Sequence, residues 1–191
     1  MAEADGLIEE LRDLRARVHM LEAKQAITEL IYRYCRGVDR ADEAMLRSCF
    51  HEDAYEDHAG LFVGNAMELC SEIVAGMGHM GTATHAMTNL LIEVDGDTAT
   101  AESYLLSLVH VPAEHWGQDF DWLVSARFIH LFERRDGVWK ILHRKVVSDW
   151  NQYFPHRDDW GKGAVPWPNN VFGTRDESDE SYRPGINRQG F

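Results

Sequence analysis

The 191-residue chain lacks any run of about 18 apolar residues, so nothing in it reads as a membrane-crossing helix. It opens Met1-Ala2-Glu3-Ala4-Asp5 instead of with the basic segment and apolar stretch of a secretory leader, and a cytoplasmic location is the expectation. Positive charge is scarce. Against 32 Asp and Glu stand 19 Lys and Arg, a formal charge of −13 with histidine neutral, and no block of five like charges occurs. Nucleic acid and anionic membrane surfaces, which need a basic patch, are therefore not expected as partners. Cysteine is limited to Cys35, Cys49 and Cys70, an odd number without CxxC spacing. That disfavours a disulfide framework or a thiolate metal site and reads as core thiols. No glycine-rich phosphate loop, GxSxG elbow or dinucleotide fingerprint is present, and no cofactor is expected.

What the chain does have is enough length for one core, since a chain of this mass can bury about 70% of its unfolded surface. Leu7, Leu11, Leu14, Val18 and Leu21 recur at spacings of 4, 3, 4 and 3, which marks residues 1–24 as an amphipathic helix for docking on the domain or a neighbouring subunit. A second helix is read from Ala26 to a glycine cap near Gly37, a third from Asp42 to Phe50 and a fourth over 65–76, with a short strand at Ala54 to Asp57. Past residue 82 the composition turns β-branched and aromatic. Thr84 to Val94, Thr98 to Val111, Trp122 to Arg134 and Val138 to Trp150 read as long strands, broken by Asp95-Gly96-Asp97 and Arg135-Asp136-Gly137. Helices followed by antiparallel strands are an α+β order. Residues 151–191 hold four of the five prolines and no readable regular element, yet Trp160, Trp167 and Phe172 are apolar enough to suggest a segment that wraps across the domain or a partner.

Ten histidines invite a metal reading, but none of their spacings is that of a zinc motif: His51 and His58 are seven apart, His79 and His85 six, His110 and His115 five. No metal is expected. Polar side chains on elements that enclose an apolar interior are more informative, and Tyr34, Asp39, Tyr55, Asp57, His85, His110, Arg127, His130, His143 and Arg144 are the candidates.

The segments ITELIYRYCRGVD (27–39), MLRSCFHEDAYED (45–57), THAMTNLLIEVDGDTATAESY (84–104) and RFIHLFERRDGVWKILHRKVVSDW (127–150) together resemble the SnoaL-like branch of the nuclear transport factor 2-like superfamily. The resemblance spans residues 25–150 and implies a conical α+β barrel, helices enclosing a pocket against a strongly curved, mainly antiparallel sheet. Cofactor-independent lyases and isomerases recur in that superfamily, among them scytalone dehydratase, bile-acid dehydratase and lindane dehydrochlorinase. The resemblance assigns Asp39 and His85 to a dyad in which the carboxylate orients an imidazole base. It places Tyr34 and Arg144 beside a leaving group or developing anion, with Arg144 otherwise pairing Asp57 or Glu102. Tyr55, Asp57, His110 and Arg127 are the further candidates for lining the cavity. The implied function is a lyase acting on a hydrophobic, hydroxylated aromatic or polycyclic molecule, by dehydration or loss of a small carbon fragment. Isomerisation or cyclisation, ligand binding without catalysis, and service as an oxygenase small subunit are the alternatives. A homo-oligomer, trimer or dimer, is expected.

Overall fold

The computed structural model describes residues 2–158, 160 and 169–182. Its first element, α1 (Ala2–Asp39), is one unbroken 38-residue helix where two were expected. The chain between Leu21 and Ile27 contains only good helix formers and no proline, so nothing stops the helix there. The apolar stripe merely changes face. Up to Leu21 it is exposed, while from Ala23 onward Ile27, Leu30, Ile31, Tyr34, Cys35 and Val38 enter the core. Gly37 is not a cap either. It lies within α1, where an added Cβ would come 2.9 Å from the Leu46 side chain, and so lets α2 (Glu43–Ser48) pack closely.

Phe50 begins a strand, β1 (Phe50–His58), so the expected third helix is shorter and the FHEDA segment is extended. A hairpin leads to β2 (Val63–Asn65), too short to be read from composition, and then to α3 (Ala66–Met77), capped by the Asn65 side chain on the Met67 N–H at 2.7 Å. The long strands follow: β3 (Ala83–Asp95), β4 (Thr98–Val111), β5 (Phe120–Arg135) and β6 (Val138–Pro155), with one short helical turn, α4 (Ala113–Trp116), between β4 and β5. Gly96 after β3 and the Asp136-Gly137 pair after β5 take the positive φ that the hairpin turns require.

The strands form one six-stranded sheet in the order β2-β1-β6-β5-β4-β3. All neighbours are antiparallel except β1 and β6, which run parallel, and the sheet is open, not closed into a barrel. Irregularities between Thr88 and Leu91 on β3 and at Asp149 and Leu142 on β6, opposite Ser125/Ala126 and Leu131/Phe132 of β5, bend it. Asn89 at the first of these has φ 50°. The bend wraps the sheet around α1 and α3, giving the conical α+β fold. Cys35, Cys49 and Cys70 are free and buried in this core, where desolvation pushes their thiols up to about 12, about 11 and about 11.

β6 runs past the expected boundary at 150. Beyond it, Trp160 and Phe172 are exposed, and Trp167 lies outside the described residues. Residues 174–182 nevertheless dock on the C-terminal end of α1. Arg36 bonds Ser181 Oγ at 3.0 Å and lies over the Tyr182 ring, and the Tyr182 hydroxyl donates to Asp42 at 2.9 Å.

Candidate active site

Asp39 is the last residue of α1 and His85 the third of β3, and the packing of the helix end against the strand brings their side chains together. Asp39 Oδ1 lies 2.7 Å from His85 Nδ1, and Oδ2 accepts the His85 backbone N–H at 3.1 Å. A carboxylate only accepts, so the ring proton sits on Nδ1 and Nε2 is the ring's acceptor. Ser107, directly opposite His85 on β4, places its hydroxyl 3.3 Å from that Nε2. Arg175 ties down the backbone on both sides, donating to Val38 O at 3.0 Å and Gly81 O at 3.1 Å.

His85 opens onto a cavity of about 350 Å³ between the bent sheet, α1 and α3. Its walls are mostly apolar: Val38 from α1, Ile73 and Met77 from α3, Leu105 and Val109 from β4, Val124, Ala126 and Phe128 from β5. The polar side chains on the wall besides His85 are Tyr34, His58, Ser107, Ser148, Asp149 and Asn151. Tyr34 from α1 lies edge-on to Phe50 and Phe128. Burial raises its hydroxyl well above the ordinary tyrosine value, opposed in part by Arg144, so it stays a neutral phenol and a donor.

Arg144 is not on the cavity wall. It is fully buried behind Tyr34, its guanidinium 3.9 Å from the Tyr34 ring centroid, with Phe50 and Phe128 also close. Its partner is neither Asp57 nor Glu102 but Glu56, opposite it on β1, with Nε 3.0 and 2.9 Å from the two carboxylate oxygens. Burial alone would lower the arginine's pKa, but Glu56 and Tyr34 more than offset it, so the group remains a cation. Beside it, His130 is buried between Phe128 and Phe132, and desolvation together with Arg144 pushes its pKa well below the ordinary histidine value.

Tyr55, Asp57, His110 and Arg127 do not line the cavity, and one reason covers all four. Side chains alternate along a strand, and each of these is one position off the inner face. Glu56 and His58 point inward where Tyr55 and Asp57 do not; Val109 points inward beside His110, and Ala126 and Phe128 flank Arg127. Outside, Tyr55 meets the His143 ring edge-on and Asp57 pairs with Lys145 at 3.1 Å. Arg127 pairs with Glu102 at 3.8 Å and, at 3.2 Å, with Asp149, which does reach the cavity wall. His110 pairs with Asp119 at 2.6 Å and stacks on His156 at 3.7 Å. Among the described residues no three histidine, cysteine or acidic side chains converge as a metal site would need.

Sequence reasoning missed Ser107, Glu56 and His58. Glu56 and His58 stand two apart on a strand, the spacing that places both on one face, and Glu56 Oε1 lies 3.1 Å from His58 Nδ1. That spacing was a usable signal.

A model of the SnoaL-like domain matches residues 19–145 of the chain. "Terrestric acid biosynthesis cluster protein E" of Penicillium crustosum is 26% identical over 136 residues, covering 69% of this chain and 86% of that protein. Among solved structures, hexachlorocyclohexane dehydrochlorinase LinA-type3 from Novosphingobium barchaimii LL02 superposes with a TM-score of 0.65 at 22% identity, over 81% of this chain and 99% of that one. A protein from Kribbella flavida superposes with a TM-score of 0.61 at 21% identity, over 68% of this chain and 92% of that one.

Proposed function

The chain belongs to the SnoaL-like family of the nuclear transport factor 2-like superfamily, and from that footing we propose that it is a cofactor-independent lyase acting on a small hydrophobic, hydroxylated ring compound. The observation that carries the reading is the Asp39–His85 pair, which presents an imidazole lone pair to an apolar cavity. His85 takes a proton from carbon, and Asp39 fixes the tautomer and balances the charge that forms. Tyr34 donates its phenolic proton as a hydrogen bond to a substrate oxygen. Arg144, behind its ring, holds Tyr34 in place and does not meet the substrate. A volume of about 350 Å³ is at the low end for ligand pockets and favours a molecule of one or two rings. The dehydrochlorinase of the same fold is named for an elimination, and the Penicillium relative for a biosynthesis cluster; both suit an enzyme that processes small molecules.

The test is a screen of β-hydroxy ketones and hydroxylated one- and two-ring aromatics, followed by ultraviolet absorbance as a conjugated product forms. His85→Gln is expected to lower the rate at least about 10²-fold on any compound turned over. An undiminished rate in that variant overturns the assignment.

The same reading includes self-assembly as a dimer or trimer. Its support is the row Leu7, Leu11, Leu14, Val18 and Leu21, each 45% exposed or more along the first half of α1.

A further inference from the structure

The cavity that His85 opens onto carries a second histidine on its wall. His58 closes β1, and its backbone is fixed on both sides: its N–H donates to Phe62 O at 2.8 Å and its carbonyl accepts from Leu61 at 2.9 Å. The turn between them forces Ala59 to φ 51° and Gly60 to φ 79°. An alanine held in the left-handed region is a conformation that persists only where the surroundings over-determine it. The ring is fixed as well. Glu56, fully buried and gripped by Arg144, lies 3.1 Å from Nδ1 through Oε1. A carboxylate on Nδ1 holds one ring proton there, so Nε2 is the atom that takes up a second proton and hands it on. Two histidines, His85 with Nδ1 on Asp39 of α1 and His58 with Nδ1 on Glu56 of its own strand, thus line one mostly apolar cavity.

We propose that His58 is the acid that protonates the departing oxygen, so that the substrate loses a hydroxyl group and not a halide. This rests on the lyase reading and adds the leaving group to it. A halide departs as the anion unaided, whereas hydroxide needs a proton as the bond breaks. In the balanced step, the C–H electron pair becomes the new C=C bond and its proton goes to His85 Nε2. The C–O pair goes to oxygen, which takes the Nε2 proton of the His58 imidazolium and leaves as water. His58 ends neutral, its Nδ1 proton still bonded to Nδ1 and donated to Glu56 as a hydrogen bond, and His85 ends as the imidazolium beside Asp39. His58, 27% exposed, regains its proton from solvent, and His85 returns its own.

The experiment compares two probes that give the same product, benzalacetone: the aldol of acetone with benzaldehyde, which loses hydroxide, and its O-acetyl ester, which loses acetate without protonation. With the full-length protein, His58→Gln is expected to slow the alcohol at least about 10²-fold and the ester less than about 3-fold, while His85→Gln slows both. Equal loss on both probes, or no loss on the alcohol, in His58→Gln overturns the proposal. Retained rates in His85→Gln overturn the lyase reading instead. Nitrogen NMR of the wild-type histidine rings supplies a readout independent of turnover. Saturation with benzylacetone, the inert ketone, is expected to shift Nε2 of both His58 and His85, and a His58 signal that stays fixed or carries its neutral-state proton on Nε2 overturns the proposal.

Discussion

Asp39 holds His85 by both carboxylate oxygens, Oδ1 on the ring at 2.7 Å and Oδ2 on the backbone N–H at 3.1 Å. An asparagine in its place keeps the backbone bond through its carbonyl but offers the ring an N–H donor. The imidazole then turns its lone pair to Nδ1 and its proton to Nε2, where a base is needed. Asp39→Asn is expected to fold normally and lose at least about 10²-fold in rate, with the ring nitrogen shifts of His85 reporting the exchanged tautomer.

Glu56 and Arg144 are both fully buried, so neither charge has water to fall back on. Glu56→Gln or Arg144→Met alone is expected to cost about 3–5 kcal/mol in denaturant unfolding, because each strands the other partner. The double replacement Glu56→Leu with Arg144→Met is expected to cost much less than the sum of the two.

His130 is neutral in the folded protein because burial and Arg144 both disfavour its charge. Below a pH of about 6.5 the unfolded chain protonates this histidine and the folded protein does not, so stability is present above that pH and falls as the pH drops. This one group accounts for a slope of up to about 1.4 kcal/mol per pH unit there. Denaturant unfolding across pH 5–7 is expected to show a shallower slope in His130→Leu than in the wild type.

Long elements with clear punctuation were legible. The ends of β4 and both Asp-Gly turns follow from composition alone. The face of each strand did not. Tyr104, Leu106, Leu108 and Ile129 are exposed on the outer side of the sheet, so both faces of β4 and β5 mix apolar with polar residues and no alternation identifies the inner one. Tyr55, Asp57, His110 and Arg127 were therefore assigned to the wrong side by a single position. The contact between Asp39 and His85 was legible only through the family resemblance, which pairs a carboxylate at a helix end with a histidine at a strand start. The Arg144 partner was not, since Glu56 becomes its neighbour only through the parallel pairing of β1 with β6.

Removing residues 1–22 takes away the exposed leucine row and leaves the core half of α1, which begins at Ala23. The truncated chain is expected to fall to a smaller species in sedimentation while its His85 ring signals stay unchanged. An unaltered size overturns the role of this leucine row in self-assembly.

The clip made by Arg175 joins positions 137 and 94 residues apart in the chain. Synthesis proceeds from the N-terminus, so α1 and β3 have long left the ribosome before this arginine is added. Asp39 and His85 can meet earlier, but the backbone that carries them is fastened only once residue 175 has been made. A polypeptide cut short after β6 loses this latch, which ties the full anchoring of the site to the segment that follows the sheet.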